Sequence, residues 1–558
     1  MPVSEQVECQ PETVSLRDWH AVRTDIVVSP IRDTQRFYDR VVNGAIVATA
    51  MQAGYLLSRV LLTPVILAHA GFAAYGFWSL MFAVLGVIGV QRMGLVSASV
   101  PLAARALADG DEPRARRILR TVASIALILS TVVGALALFA DDLILSLVRI
   151  PDELLSGARW ALRVTVGATC VLMVFGGYHS FLEAAQRHSR LRTVDGIAQI
   201  SEAILVVVLL QFAAEGGNAA LVVLSIAYAL RLLIPIPIIA FLARRAGARG
   251  FLGPGPIDRA EFGSVIRLGG AIQGLGALHM TILALPRLAL ARALDLGAAG
   301  LFDIARRLID FSAALPARAT EPLISASGAL GANQDAKSVR REVTRTATRV
   351  IGSFGLLLLG VLAMNSEVIA LAWLGDVPES FTTLTLILAP AAWIHLCTGP
   401  ITAVLRGGAR PRLEIAYTLI WIALLFAGLM WAAPRGLTVA AFAIAGAQVT
   451  ASVTLLIVGS RIMGSSLRNL VEDLARPVAA FLPSFASVVA VSDILGAAGT
   501  RTEALVALSI LATVFAIAAL PGVWWLVFTE RERGFVAARV SMFISNTGLQ
   551  GPVKRVGS

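Results

Sequence analysis

The stretch GLFDIARRLIDFSAALPARATEPL, residues 300 to 323, carries Asp303, Arg306, Arg307, Asp310, Arg318 and Glu321 among Leu, Ile, Phe and Ala. At 3.6 residues per turn these six charges fall within about 60° either side of one line, so the segment reads as a helix with one charged stripe. Two kinds of chemistry fit. Four-residue spacing pairs Asp303 with Arg307 and Arg306 with Asp310, which would do no more than make a greasy helix tolerable. Alternatively, the stripe walls a polar pathway, with Pro316 and Pro322 letting the helix bend. The second reading is preferred, because the pairing leaves Arg318 and Glu321 without partners at that spacing.

A second polar face lies near the start of the chain, where Thr49, Gln52, Tyr55, Arg59 and Thr63 line one side of an apolar run. Arg92, Arg163, Arg231, Arg267 and Arg287 are further cations within apolar surroundings, some near enough to a segment end to snorkel to the interface. Acids are scarce in the same half, chiefly Glu183 and Glu202. A cationic interior favours an anionic passenger. Arginine suits phosphate in particular, because its planar fork bonds two oxygens at once and keeps its charge. The expected site is therefore Arg59, Arg287, Arg306, Arg307 and Arg318 with Gln52 and Tyr55. Ion coupling would fall to Glu202, Asp303, Asp310 or Glu321, since arginine cannot release a proton.

Other chemistries find little support. Cys9, Cys170 and Cys397 are scattered, and the histidines (His20, His69, His179, His188, His279, His395) lack metal-ligand spacing. His279 and His395 read as core histidines. The two lysines, Lys337 and Lys554, stand outside any GxxxxGK(S/T) loop, which speaks against direct ATP use. No cofactor and no metal are expected. A membrane glycan polymerase or ligase would need a sizeable outward loop bearing acids or histidines. The longest candidate, FADDLILSLVRIPDELLSGAR, reads as a helix end and a helix start with capping acids. Tyr75, Trp78, Trp373, Trp393, Trp524 and Trp525 read as interfacial belt residues without chemistry.

The elements that must carry these residues follow from composition. Of 558 residues, 57% are hydrophobic and 15% charged, with mean hydropathy +0.77, the profile of an all-α polytopic membrane protein. Apolar runs long enough to cross about 30 Å of hydrocarbon start near 41, 72, 118, 158, 194, 219, 264, 300, 346, 380, 412, 437, 477 and 502, fourteen in all. Alternate connections hold about 32 basic residues against about five on the other side. That asymmetry places both termini and the basic loops in the cytoplasm. Much of the +11 net charge is then topology and attraction to anionic lipid, not a nucleic-acid footprint. The resulting organisation is a cytoplasmic tail (1–40), six spans (41–243), a linker (244–263), six spans (264–462), a second linker (463–476), two spans (477–528) and a cytoplasmic tail (529–558). Both linkers are expected to lie on the cytoplasmic surface.

Three short matches share an offset of 223 to 228 residues: GFAAYGFW (71–78) with GAAGLF (297–302), FLEAAQRHSRL (181–191) with VLRGGARPRL (404–413), and LLSRVLL (56–62) with ALPRLAL (284–290). Six spans separate each pair. Both halves therefore enter the membrane in the same direction and should be related by an axis along its normal. Arg287 becomes the counterpart of Arg59.

In order, AYGFWSLMFAVLGVIGVQRMGLVSA, FLEAAQRHSRLRTV, LGAAGLFDIARRLIDFSAALPARATEPLISA, VIALAWLG and AVLRGGARPRLEI resemble segments of bacterial polysaccharide-biosynthesis flippases. These are the O-antigen-type lipid-linked oligosaccharide translocases of the multidrug/oligosaccharidyl-lipid/polysaccharide exporter superfamily. The resemblance covers roughly residues 41 to 462. It implies two helical lobes in a V, alternating access, and passage of a polyprenyl-diphosphate-linked glycan across the bacterial inner membrane. It also implies contact with membrane lipid and with a polymerase or ligase of the same glycan pathway. Arg59 in LLSRVLL is similar to the first-span arginine of the related peptidoglycan-precursor flippases, where it belongs to a cationic cavity. Two positions depart from the pattern: VQRMGL lacks the acid common before its glycine, and Pro286 stands where a polar residue is usual. The neighbouring alternatives are a lipid II flippase and a drug/cation antiporter; the latter would need an acidic first half.

Overall fold

The computed structural model describes residues 57–82, 99–107, 109–139, 141–185, 187–248, 252–320, 334–407, 411–530 and 532–534, with Gly54, Leu85, Gly86, Gly250 and Leu323. Expectations for the start of the first span, and for Thr49, Gln52, Tyr55, Arg92 and Glu321, lie outside these residues.

Among the described residues every regular element is helical. The N-terminal principal helices are α1 (Leu57–Phe82), α2 (Glu112–Phe139), α3 (Leu155–Val174), α4 (His188–Phe212), α5 (Gly217–Leu233) and α6 (Pro235–Arg245). There follow α7 (Arg259–Ala293), α8 (Leu296–Arg318), α9 (Gln334–Met364), α10 (Phe381–Leu396), α11 (Gly399–Gly407), α12 (Pro411–Ala432) and α13 (Leu437–Ile462). Last come α14 (Leu467–Leu495) and α15 (Arg501–Gly522). Eleven stretches among the described residues are long and apolar enough to cross a membrane. Helices α7 and α8, 35 and 23 residues long, also have the length to do so.

Local chemistry sets the helix ends. The Asp258 carboxylate accepts from the amides of Ala260 and Glu261 to start α7, and Asp295 accepts from Ala298 N to start α8 only two residues after α7 stops. Thr500 and Glu503 form a reciprocal capping box on α15. Within α1, Gly71 takes φ 73°, a left-handed backbone that other residues adopt at a cost, at the position where the hydropathy pattern begins a new span. Large apolar side chains stand exposed along the outer helices, among them Phe139, Phe426, Met430, Ile517, Leu520 and Trp525. A lipid-facing surface has this character. The aromatic expectation is corrected in part. Tyr75 and Trp78 are only 1% and 2% exposed, and the indole N–H groups of Trp373 and Trp393 donate to the Val60 and Gly352 carbonyls, both at 2.8 Å. These are packing residues. Trp525, at 67% exposed, keeps the belt character.

The 244–263 linker is packed rather than free. Arg114 bonds Glu261 (2.8 Å), Arg117 pairs with Asp258 (3.3 Å), and the Ser124 hydroxyl accepts from Gly255 N (2.8 Å), so α2 grips the first turn of α7. The expected capping acids also do more than cap, since Asp141 is buried and holds Arg159 and Arg163 at 3.3 and 2.7 Å.

Helices α14 and α15 are fastened to α9 by Phe481, Phe485 and Phe515, with ring centroids 5.4 to 5.6 Å apart, and by a polar cluster near their ends. There Arg345 donates to buried Asp473 at 2.7 Å, and Arg349 and Thr346 donate to Glu532 at 2.9 and 2.6 Å. Removing Asp473 leaves Arg345 without its carboxylate and Arg349 with Glu532 alone. Asp473→Ala is expected to destabilise the C-terminal helices by about 3–5 kcal/mol, read as a lower melting temperature of the purified protein. Burial raises the Glu532 pKa, but the hydrogen bonds from Thr346 and Thr529 and the field of Arg349 outweigh it and hold the carboxyl below the ordinary glutamate value. A depressed folded-state pKa contributes stability that is present above the unfolded value, about 4.3, and is lost as pH falls through the folded one. Melting curves taken down the acid range should therefore flatten in Glu532→Gln.

Candidate functional site

Four arginines and two carboxylates meet where α1 packs against α4, α5, α7 and α8. Glu202, 2% exposed on α4, accepts from Arg59 of α1 and, at 3.3 Å, pairs with Arg231 of α5. Aromatic faces support both cations: the Arg59 guanidinium lies 5.5 Å from the Phe82 centroid and that of Arg231 lies 4.9 Å from Tyr228. Trp78, Phe82 and Tyr228 pack edge to face at 5.3 to 6.2 Å and hold these rings in place.

The second carboxylate, Asp303 of α8, is 3% exposed. It accepts from Arg287 Nε at 2.7 Å, from Arg307 Nη2 at 3.1 Å and from the Tyr75 hydroxyl at 3.2 Å. Tyr75 and Asp303 are 228 residues apart. Arg307 links the two clusters, with Nη1 donating to the Arg59 carbonyl and the Thr63 hydroxyl, each at 3.4 Å. Pro286 cannot donate to the carbonyl one turn back, and beside that gap Arg287 Nη1 bonds the Leu283 carbonyl at 2.6 Å. The residue unusual for the resemblance thus stands beside an arginine anchored to its own helix.

Beside this network the backbones of α1 and α8 come into contact. A Cβ at Gly76 would lie 1.7 Å from the Leu296 carbonyl oxygen, and one at Gly300 would lie 2.8 Å from the Phe72 oxygen and 3.1 Å from Gly76 Cα. Only paired glycines permit the crossing. Arg292 at the end of α7 reaches the carbonyls of Ser146 and Leu147 at 3.4 and 3.2 Å. These ties all lie toward the end of the molecule away from the grip of α2 on α7.

The expected site residues are thus divided. Arg59, Glu202, Arg287, Asp303 and Arg307 converge. Both intrahelical pairs of the stripe form, Asp303 with Arg307 and Arg306 with Asp310, the latter at 2.9 Å. Arg306, about 100° round the helix from Arg307, faces elsewhere, donating to Gln448 Oε1 at 3.2 Å beside a cavity of about 260 Å³. Arg318 is exposed at the end of α8. Tyr75 was hidden among belt aromatics, and Arg231 among cations with no position. No signal in the sequence pointed to Tyr75.

Comparison with known proteins accords with this architecture. The MatE family matches residues 51–208. Among solved structures, a lipid II flippase MurJ in an inward closed conformation aligns with TM-score 0.64 at 12% identity, covering 86% of this chain and 99% of its own. An inward-facing multidrug resistance MATE family transporter of the MOP superfamily aligns with TM-score 0.60 at 14% identity, covering 76% and 98%. A Vibrio cholerae MATE transporter aligns with TM-score 0.52 at 15% identity, covering 77% and 99%. No curated protein sequence matches. The chain shares the all-helical, multi-pass fold of these MurJ and MATE structures.

Proposed function

We propose that this protein translocates a polyprenyl-diphosphate-linked oligosaccharide or polysaccharide repeat unit across the bacterial inner membrane by alternating access. The observation that carries the reading is the charge balance of the network: Arg59, Arg231, Arg287 and Arg307 face Glu202 and Asp303, an excess of two positive charges. A diphosphate matches that excess. The arginine side chains keep 12 to 22% of their surface accessible, while the two acidic side chains keep 1 to 4%. An arriving anion therefore meets the arginines first. Competing for Arg287 and Arg307, the diphosphate would loosen their hold on Asp303, and with it the Tyr75 bond between α1 and α8. The polyprenyl tail stays in lipid between helices. A polymerase or ligase of the same glycan pathway is the expected partner.

The same excess disfavours a drug/cation antiporter, whose passenger it would repel. A lipid II flippase shares the phosphate chemistry, and the solved flippase aligns over more of this chain than the MATE transporters do, by about the length of α14 and α15.

The test is surface-polysaccharide display in a strain deleted for this gene, complemented at matched membrane abundance with wild type, Arg59→Ala, Arg287→Ala or Arg307→Ala. Loss of display, with lipid-linked precursor accumulating on the cytoplasmic side, is the expected result. Normal display would refute the reading. Coupling through Glu202 or Asp303 is tested in vesicles under imposed pH and potential gradients; transport indifferent to both excludes it.

A further inference from the structure

Arg306 and Gln448 open onto a cavity that the phosphate network does not use. We propose that this cavity, lined by α7, α8, α10, α11, α12 and α13, is a sugar subsite that takes a single pyranose ring of the passenger's head group; this rests on the function proposed above.

The volume, about 260 Å³, lies below the usual range for drug-sized ligands, roughly 300–1,000 Å³. One wall is aromatic: His395 lies 4.9 Å from Trp421, Tyr417 lies 5.9 Å from it, and the Tyr417 hydroxyl meets His395 Nδ1 at 3.0 Å. Facing it is a set of polar groups whose orientations are fixed by chemistry. Arginine has no acceptor, so its contact with Gln448 must be made to Oε1, and the Gln448 amide nitrogen is turned away from it. That nitrogen is buried without a partner on a residue 0% exposed, and Trp421 Nε1 is equally orphaned on a residue 5% exposed. Both residues line the cavity. Acceptors stand close by, since Asp310 and Glu414 line the same space, each already held by an arginine, Arg306 at 2.9 Å and Arg406 Nε at 2.9 Å.

The mixture selects the ligand. A phosphate offers only acceptors, and the two arginines of this cavity are already neutralised by Asp310 and Glu414. An organic cation offers no acceptor to the Gln448 and Trp421 donors and gains nothing from them, whereas a ligand that satisfies one recovers about 1–3 kcal/mol. A sugar hydroxyl both donates and accepts, and the apolar face of a pyranose suits an aromatic wall. Helix α8 makes the arrangement continuous, with Arg307 turned to the phosphate network and the adjacent Arg306 to the sugar cavity.

The test uses the purified full-length protein in nanodiscs. Saturation-transfer NMR is run with methyl glycosides of glucose, galactose, N-acetylglucosamine and rhamnose, which carry no phosphate, and binding of inorganic pyrophosphate is measured in parallel. At least one glycoside should bind, and Trp421→Phe and Gln448→Leu, which keep the packing and remove the donors, should each weaken it by roughly fivefold. Pyrophosphate binding should survive in both variants and be lost in Arg287→Ala. If no glycoside binds, or if binding is unchanged in both variants, the sugar subsite is wrong; retained pyrophosphate binding then leaves the phosphate reading standing. Binding of tetraphenylphosphonium that is lost in Trp421→Phe would overturn the subsite and the proposed function together.

Discussion

Asp303→Ala is expected to abolish polysaccharide display and to destabilise the protein by about 3–5 kcal/mol. The carboxylate is 3% exposed and carries three partners on three helices: Arg287 of α7, Arg307 of its own α8 and Tyr75 of α1. Its removal leaves two guanidinium groups in a low-dielectric site with no counter-charge, which is far more harmful than the loss of the attractive contacts alone. Asp303→Asn separates the contributions, because the amide can still accept from Tyr75 and one arginine while the charge is gone. The melting temperature of Asp303→Asn should lie between those of wild type and Asp303→Ala. Pairing Asp303→Ala with Arg287→Ala should recover part of the lost stability, with display still absent. If Asp303→Ala melts like wild type and supports display, the network has been misread.

The second large effect concerns shape rather than charge. A methyl group at Gly76 would sit 1.7 Å from the Leu296 carbonyl oxygen, an overlap with backbone that no rotamer change can relieve. Gly76→Ala should therefore disfavour the closed crossing of α1 and α8 by more than the about 1–3 kcal/mol of ordinary overpacking. At about 1.4 kcal/mol per tenfold, the closed population should fall by roughly a hundredfold or more. The measurement is labelling of Thr63→Cys by a membrane-impermeant thiol reagent applied from outside. Thr63 is 0% exposed and the described cysteines, Cys170 and Cys397, are buried, so the background is low. Labelling should be slow in the otherwise wild-type protein and fast with Gly76→Ala, and display should fall. Gly167→Ala serves as the control, since nothing lies within 4 Å of its Cβ. Equal labelling in all three would mean that the crossing does not seal the molecule.

Legibility in the sequence followed the range of the interaction. Pairing of Asp303 with Arg307 and of Arg306 with Asp310 was readable because four residues on a helix is a fixed distance. The embedded arginines stood out because a charge in an apolar run is costly wherever that run ends up. Which acid each arginine would meet was not readable. Arg59 and Glu202 are 143 residues apart and Arg307 and Thr63 are 244 apart. No local periodicity carries those distances. Tyr75 was mistaken for a belt residue because an aromatic near a span end looks the same whether it faces lipid or a neighbouring helix.

By itself the sequence determined that this is an all-helical, membrane-spanning protein with a cationic interior. Those properties depend on single residues meeting their solvent, whether hydrocarbon or water, and solvent preference is local. Tertiary structure alone decided that Arg306 and Arg307, adjacent in the chain, serve different spaces, that Gly76 and Gly300 let two backbones touch, and that Gln448 and Trp421, each with an unpartnered donor, line one cavity. Such facts are made by the packing of helices against one another. They exist only once the chain has chosen a single arrangement among many of similar hydropathy.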